Sequence, residues 1–159
     1  MRKFLIIAGF LAAPAGTALQ HPVPRQDPRL PRLKQFFEKF NCPLAPFASE
    51  FLHQADSKSL DWRLLPSLSF IESSGGKYAR NNNVFGWNSC RTRFPSVRAG
   101  IEIVATELGC SATYKNKSLD QKLRTYNPRP DYGKRVRAVM ESIGAAAIPS
   151  SSGVPCSHG

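Results

Sequence analysis

Phe70-Ile71-Glu72-Ser73-Ser74-Gly75-Gly76, followed by Asn81-Asn82-Asn83-Val84-Phe85-Gly86-Trp87, places a lone carboxylate at the end of an apolar helix and then breaks that helix with two glycines. Upstream, Leu64, Leu65, Leu68 and Ile71 recur at helical spacing and form one stripe at ~100° per residue. Asp61 is the expected N-cap. Pro66 removes one helical hydrogen bond unless it falls in the first turn, and a glycine at 75 or 76 takes the left-handed conformation that closes a helix. Glu72 projects inside the stripe, where an ordinary surface glutamate would point away. Partial burial and the negative end of the helix dipole both disfavour a charged carboxyl there. The position therefore suits a protonated acid near neutral pH, as general-acid catalysis on a glycosidic oxygen requires. The plainer alternative is a glutamate on a frayed helix end, facing water.

The rest of the chain also reads as helices. Leu33, Phe36, Phe37 and Phe40 mark a short amphipathic helix ending before Cys42-Pro43, and Phe47, Phe51 and Leu52 mark a second from about Pro46 to Ala55. Residues 77–94 have no period and mix Tyr78, Phe85, Trp87 and Phe94 with Asn, Arg and Gly, as loops lining binding clefts do. In that segment Phe85 reads as core and Trp87 as a cleft residue. Ser96 caps a helix carrying Val97, Ile101, Val104, Ala105 and Leu108, with Gly109 as its stop. Ser118 and Gln121 form a capping box for a helix bearing Leu119 and Leu123, which leads into Tyr126-Asn127-Pro128. A last helix from about Asp131 carries Val136, Val139, Met140 and Ile143. No alternating strand pattern or internal repeat stands out, so the expected fold class is all-α.

Three short motifs carry a resemblance: Glu72-Ser73-Ser74-Gly75, then Asn82-Asn83-Val84-Phe85-Gly86, then Tyr126-Asn127. In this order and spacing they resemble the lysozyme-like superfamily, nearest to the bacterial endo-N-acetylglucosaminidase (glucosaminidase-domain) family and the lytic transglycosylases. The likeness runs from about Leu60 to Ile143. It implies a lysozyme-like helical domain with a catalytic cleft in which Glu72 is the acid. It also implies that Ser73, Asn83, Phe85, Trp87, Tyr126 and Asn127 bind substrate, with Tyr126 facing the acid and either orienting an acetamido group or stabilising charge near the anomeric carbon. The Gly-Leu-Met-Gln segment of the transglycosylases is replaced here by Asn83-Val84-Phe85-Gly86-Trp87, which leans the likeness toward the glucosaminidases.

At 159 residues the chain allows one domain with a modest core. Arg2 and Lys3, an apolar run from Phe4 to Leu11 and small residues up to Ala18 read as a secretory leader over residues 1–18, too short to span a bilayer. Prolines mark residues 19–31 as a linker, 32–144 remain for the domain, and Ala, Ser, Pro and Gly mark 145–159 as a loose tail. The expected destination is secreted or periplasmic. Export favours disulfides, with three possible connectivities among the four cysteines. Nesting selects Cys90–Cys110 and Cys42–Cys156 to staple the domain. No Cys-x-x-Cys pair occurs and His21, His53 and His158 are scattered, so no metal and no cofactor are expected.

The formal charge is +11, and removal of Arg2 and Lys3 with the leader leaves +9. A protein this basic concentrates at polyanions. The expected partners are peptidoglycan or a related N-acetylated glycan and the anionic polymers of the wall, met by a monomer with no further membrane span. A two-carboxylate glycosidase needs its second acid ~5–10 Å from the first. No acid lies between Glu72 and Glu102, and Asp120 and Asp131 are the later candidates near Tyr126. The sparse acids favour an enzyme in which the substrate's own groups replace a nucleophile. The leading expectation is a secreted glycosidase cutting the β-1,4 backbone of peptidoglycan, with Glu72 as both acid and base. Its rivals are a non-catalytic wall-binding module of the same fold, and a basic nucleic-acid binder supported by charge alone.

Overall fold

A computed structural model describes residues 27–144, and every regular element among them is a helix. In order they form α1 (Arg29–Lys39), a single 3-10 turn (Ala45–Phe47), α2 (Ala48–Ser57), α3 (Leu64–Ser73), α4 (Val97–Cys110), α5 (Leu119–Tyr126) and α6 (Tyr132–Ile143). An isolated bridge between Arg80 and Asn83 is the one β-type pairing among the described residues. The all-α expectation holds. The leader, most of the linker and the tail lie outside the described residues.

α2 and α6 are the hubs. α2 packs against α1, α3 and α4, while α6 packs against α1, α3 and α5. The burial pattern follows the apolar spacing: Leu33, Phe36 and Phe37 from α1, Phe51 and Leu52 from α2, Leu64, Leu65 and Leu68 from α3, and Val136, Met140 and Ile143 from α6 are all core. Aromatic rings join the layers, with Phe37–Phe51 centroids 5.6 Å apart, Phe36–Phe70 5.2 Å and Phe51–Phe85 6.4 Å. Such contacts add about 0.5–1.5 kcal/mol each beyond burial of area. Among the described residues no helix is long and apolar enough to cross a membrane.

Helix boundaries depart from the sequence reading in four places. α1 starts at Arg29, inside the expected linker, because Pro31 falls in the first turn where its missing N–H costs nothing. Asp27 accepts the Arg29 backbone N–H at 2.9 Å, and the Arg29 guanidinium reaches on to Asp56 at 2.6 and 2.7 Å, pinning α1 to the end of α2. Asp61 is not the N-cap of α3, which starts at Leu64. Its carboxylate instead takes the Arg63 backbone N–H at 2.9 Å and the Arg63 guanidinium, whose other arm donates to the Gly144 carbonyl at 3.0 Å. Pro66 thereby sits harmlessly in the first turn. α4 runs through Gly109 to Cys110. A Cβ at 109 would lie 2.7 Å from the Lys58 carbonyl oxygen, so this glycine serves the close approach of α4 to the end of α2 rather than a helix stop. α2 starts at Ala48, behind the 3-10 turn, and runs to Ser57, two residues past the expected Ala55, whereas α6 opens at Tyr132 with Asp131 as its N-cap, as expected.

Ser96 and Ser118 act as expected: Ser96 accepts from the Ala99 N–H at 3.1 Å, and Ser118 and Gln121 form the complete capping box. The expected disulfides do not form. Cys42 is a buried free thiol and Cys90 an exposed one, so neither Cys90–Cys110 nor Cys42–Cys156 exists, and Cys156 lies outside the described residues. Cys42 packs under the end of α3, where burial pushes its thiol up and keeps it protonated. α2 and α4 are joined by polar side chains: the buried Glu50 carboxylate accepts from Gln54 at 2.9 Å and from the Arg98 guanidinium.

Candidate active site

α3 presents Glu72 in its last turn and then unwinds through three consecutive left-handed residues, Ser74, Gly75 and Gly76, at φ of 52°, 66° and 94°. The turn opens at Ser74, a residue before the expected glycines. Gly75 is required for space as well as for φ, since a Cβ there would fall 2.4 Å from the Cys42 sulfur. Its N–H donates to the Ser69 carbonyl at 3.2 Å and closes the helix.

Two residues expected to bind substrate hold the site together from behind. The Ser73 hydroxyl is buried, lies 2.8 Å from the Val84 carbonyl and 3.0 Å from that of Ser69, and accepts from the Gly76 N–H at 3.0 Å. It fastens α3 to the loop that follows. Asn83 is buried too. Its oxygen accepts the Trp87 N–H at 2.8 Å, and its amide donates to the carbonyls of Trp87 at 2.9 Å and Thr92 at 3.1 Å. Every polar atom of that side chain is used within the loop, leaving none for a sugar. Phe85 is fully buried and contributes only its carbonyl, which accepts from the Tyr126 hydroxyl. Ser73, Asn83 and Phe85 thus support the cleft and do not line it.

The cleft has a volume of about 720 Å³ and brings together Glu72, Trp87, Tyr126 and Asn127, as the sequence suggested, with Gly86, Asn88, Ser89, Cys90, Thr92 and Tyr114. Its size falls within the ~300–1,000 Å³ of sites for small ligands. The aromatic wall is continuous. Trp87 lies 5.7 Å from Tyr126 and 6.4 Å from Tyr114, and Tyr126 stacks on Tyr132 at 6.0 Å with an interplanar angle of 11°. Tyr126 offers the cleft its ring, because its hydroxyl is engaged by Phe85. Asn127 accepts the Arg129 N–H at 3.2 Å and so sets the turn into α6.

Glu72 is half-buried and held on both sides. The Tyr132 hydroxyl donates to Oε1 at 2.6 Å. Oε2 lies over Gly86, where an added Cβ would be only 2.9 Å away, so the left-handed glycine (φ +60°) is what lets the loop close onto the carboxylate. Burial, and after it the hydrogen bond to Glu72, pushes the Tyr132 phenol far above its ordinary value. Burial, and next the charge of Glu72, does the same to Tyr126. Both phenols therefore stay neutral donors across the physiological range.

Asp120 and Asp131 do not enter the cleft. Asp120 pairs with Arg137 on the α5–α6 face, and Asp131 is exposed ahead of α6. Among the described residues lining the cleft, Glu72 is the sole carboxylate. No group of three or more His, Cys, Asp and Glu among the described residues is arranged to hold a metal ion. The sequence reading missed Tyr132, Gly86 and Tyr114. The available signal for Tyr132 was a tyrosine opening a helix directly after the Pro128-Arg129-Pro130 turn, six residues past Tyr126. The fold and site define an all-α protein with a single-carboxylate aromatic cleft. Scanned against family models and searched against curated proteins, the chain finds no match.

Proposed function

We propose that this protein is an exported glycosidase of lysozyme-like fold that cleaves the β-1,4 backbone of peptidoglycan, with Glu72 as the single general acid/base. The observation that carries this reading is Glu72 itself: the only carboxylate among the described residues that line the cleft, gripped on Oε1 by Tyr132, with Oε2 left to face the cleft beside Gly86. Rings of Trp87, Tyr114 and Tyr126 supply the apolar faces on which sugar rings stack, and the exposed polar loop 88–92 supplies hydrogen bonds at the rim.

Among the described residues no second acid lines the cleft, so the two-carboxylate routes lack their partner there. Oε2 protonates the glycosidic oxygen, and the charge growing at the anomeric carbon is met by the substrate's own acetamido group. The carboxylate then recovers a proton from water, giving a reducing end, or from the sugar's own hydroxyl, giving an anhydro end. The net positive charge holds the enzyme on an anionic wall.

The test is Glu72→Gln, which keeps the shape and the Tyr132 contact but carries no transferable proton. It should abolish the clearing of a cell-wall suspension while wall binding and melting temperature stay near wild type. Mass spectrometry of wild-type digests then identifies the product end. Wall binding by the wild type without any released fragment would make the chain a binding module instead.

A further inference from the structure

A second groove, of about 530 Å³, runs between α5 and α6 beside their connecting turn. Its cations are Arg124, Arg129, Lys134 and Arg137, and its acids are Asp120 and Glu141. Asp120 is taken by Arg137 and also feels Arg124. Arg129 and Lys134 form no ion pair with a described carboxylate, and both are exposed. Pro128 and Pro130 make one edge of the groove rigid and apolar. The groove also adjoins the cleft, because Asn127 lines both.

We propose that this groove binds the short acidic peptide stem that branches from the glycan held in the cleft, with Arg129 and Lys134 taking its carboxylates. The inference rests on the glycosidase reading and adds to it which part of the wall the enzyme recognises. Asn127 is where a branch of a glycan held in the cleft would enter the groove. The charge and volume of the groove suit a few residues of acidic peptide. A continuous phosphodiester polymer would need a longer basic track, whereas here Asp120 and Glu141 interrupt the positive surface.

The experiment compares wild type with Arg129→Ala/Lys134→Ala on glycan strands bearing stems and on the same strands after enzymatic removal of the stems. The double variant should raise KM about tenfold on stem-bearing strands and leave stem-free strands unchanged, since two charged contacts are lost only where carboxylates are present. Equal KM on both substrates, or an equal change on both, overturns the proposal. A labelled acidic tetrapeptide titrated into the Glu72→Gln variant gives a readout that needs no catalysis. It should bind there and lose about tenfold in affinity when Arg129 and Lys134 are also replaced. Failure of the tetrapeptide to bind while a phosphodiester wall polymer binds through the same two residues also overturns it. If Glu72→Gln still clears walls, the glycosidase reading fails by itself, and the tetrapeptide titration separates that failure from this one.

Discussion

The Tyr132 hydroxyl donates to Glu72 Oε1 at 2.6 Å, joining the last turn of α3 to the first residue of α6 across 60 positions of sequence. The two helices meet there because α3 and α6 form the most extensive helix pair in the fold, and the Arg63 contact to Gly144 fixes their other ends. Tyr132 is itself locked, buried and stacked against Tyr126. The carboxyl group is therefore fixed in direction by the fold, which is the preorganisation that the proposed acid/base role requires.

Tyr132→Phe keeps the ring and removes only the donor. A hydrogen bond to an ionisable group is worth about 1.5–3 kcal/mol. Part of that loss will be recovered by water, so kcat on soluble glycan should fall roughly tenfold, at ~1.4 kcal/mol per decade. On the proposed mechanism KM should change less than about twofold, because the phenol touches Glu72 and does not line the cleft. Steady-state kinetics decide it: an unchanged kcat, or a change confined to KM, would remove Tyr132 from the aiming of Glu72.

Gly86→Ala attacks the other side of the carboxyl group. The new methyl would meet Oε2 at 2.9 Å and the Glu72 carboxyl carbon at 3.6 Å, at a φ of +60° that L-residues adopt at a cost of about 1–2 kcal/mol. Melting temperature should fall by a few degrees for a domain of this size. If Glu72 is the acid proposed above, activity should fall much further, by about a hundredfold, because a misplacement near 1 Å at the reacting group carries that penalty. An activity loss no larger than that of a control variant with the same melting temperature would contradict the role given to Gly86.

How much of this was legible in advance depends on the range of the interaction. The helices were, because Leu64, Leu65, Leu68 and Ile71, or Val136, Met140 and Ile143, repeat at a period that only a helix buries on one side. Glu72, Trp87, Tyr126 and Asn127 were placed in one cleft by short motifs. Ser73 and Asn83 were assigned to the same cleft and instead hold its wall from behind, and Phe85, which the resemblance put in the cleft, is core as its place in the loop suggested. Motif spacing says that residues act together, but not which surface each one presents. The Tyr132 contact and the Cys42 pocket under Gly75 were invisible, since both join segments far apart in sequence and neither leaves a periodic trace. The expected disulfides failed for a related reason: nesting along the chain does not bring two sulfurs together, and Cys42 is committed to packing at the end of α3.

Asn83→Asp separates support from contact. The substitution keeps an oxygen for the Trp87 N–H but sets a carboxylate oxygen against the carbonyls of Trp87 and Thr92, which now have no donor. Two buried bonds turn into repulsions, so the domain should lose about 2–4 kcal/mol by chemical denaturation. If Asn83 instead contacted sugar, stability would stay near wild type and only KM would rise.

The raised phenols give the fold a defined response to alkali. Tyr132 and Tyr126 hold their protons in the folded state above the ordinary phenol value of 10.0, chiefly because both are buried. Below pH 10 both folded and unfolded chains carry these protons, and the stability is fully present. As pH rises past 10 the unfolded chain releases them and the folded one does not, so stability falls. Each such phenol contributes a slope of up to ~1.36 kcal/mol per pH unit. Tyr132→Phe removes one of the two. Between about pH 10 and 12 its unfolding free energy should decline less steeply than that of wild type by close to that slope. Denaturant titrations at several pH values measure the difference directly. Parallel curves would mean that Tyr132 ionises in the folded protein as readily as in the unfolded chain, and that its hydroxyl is not held against Glu72.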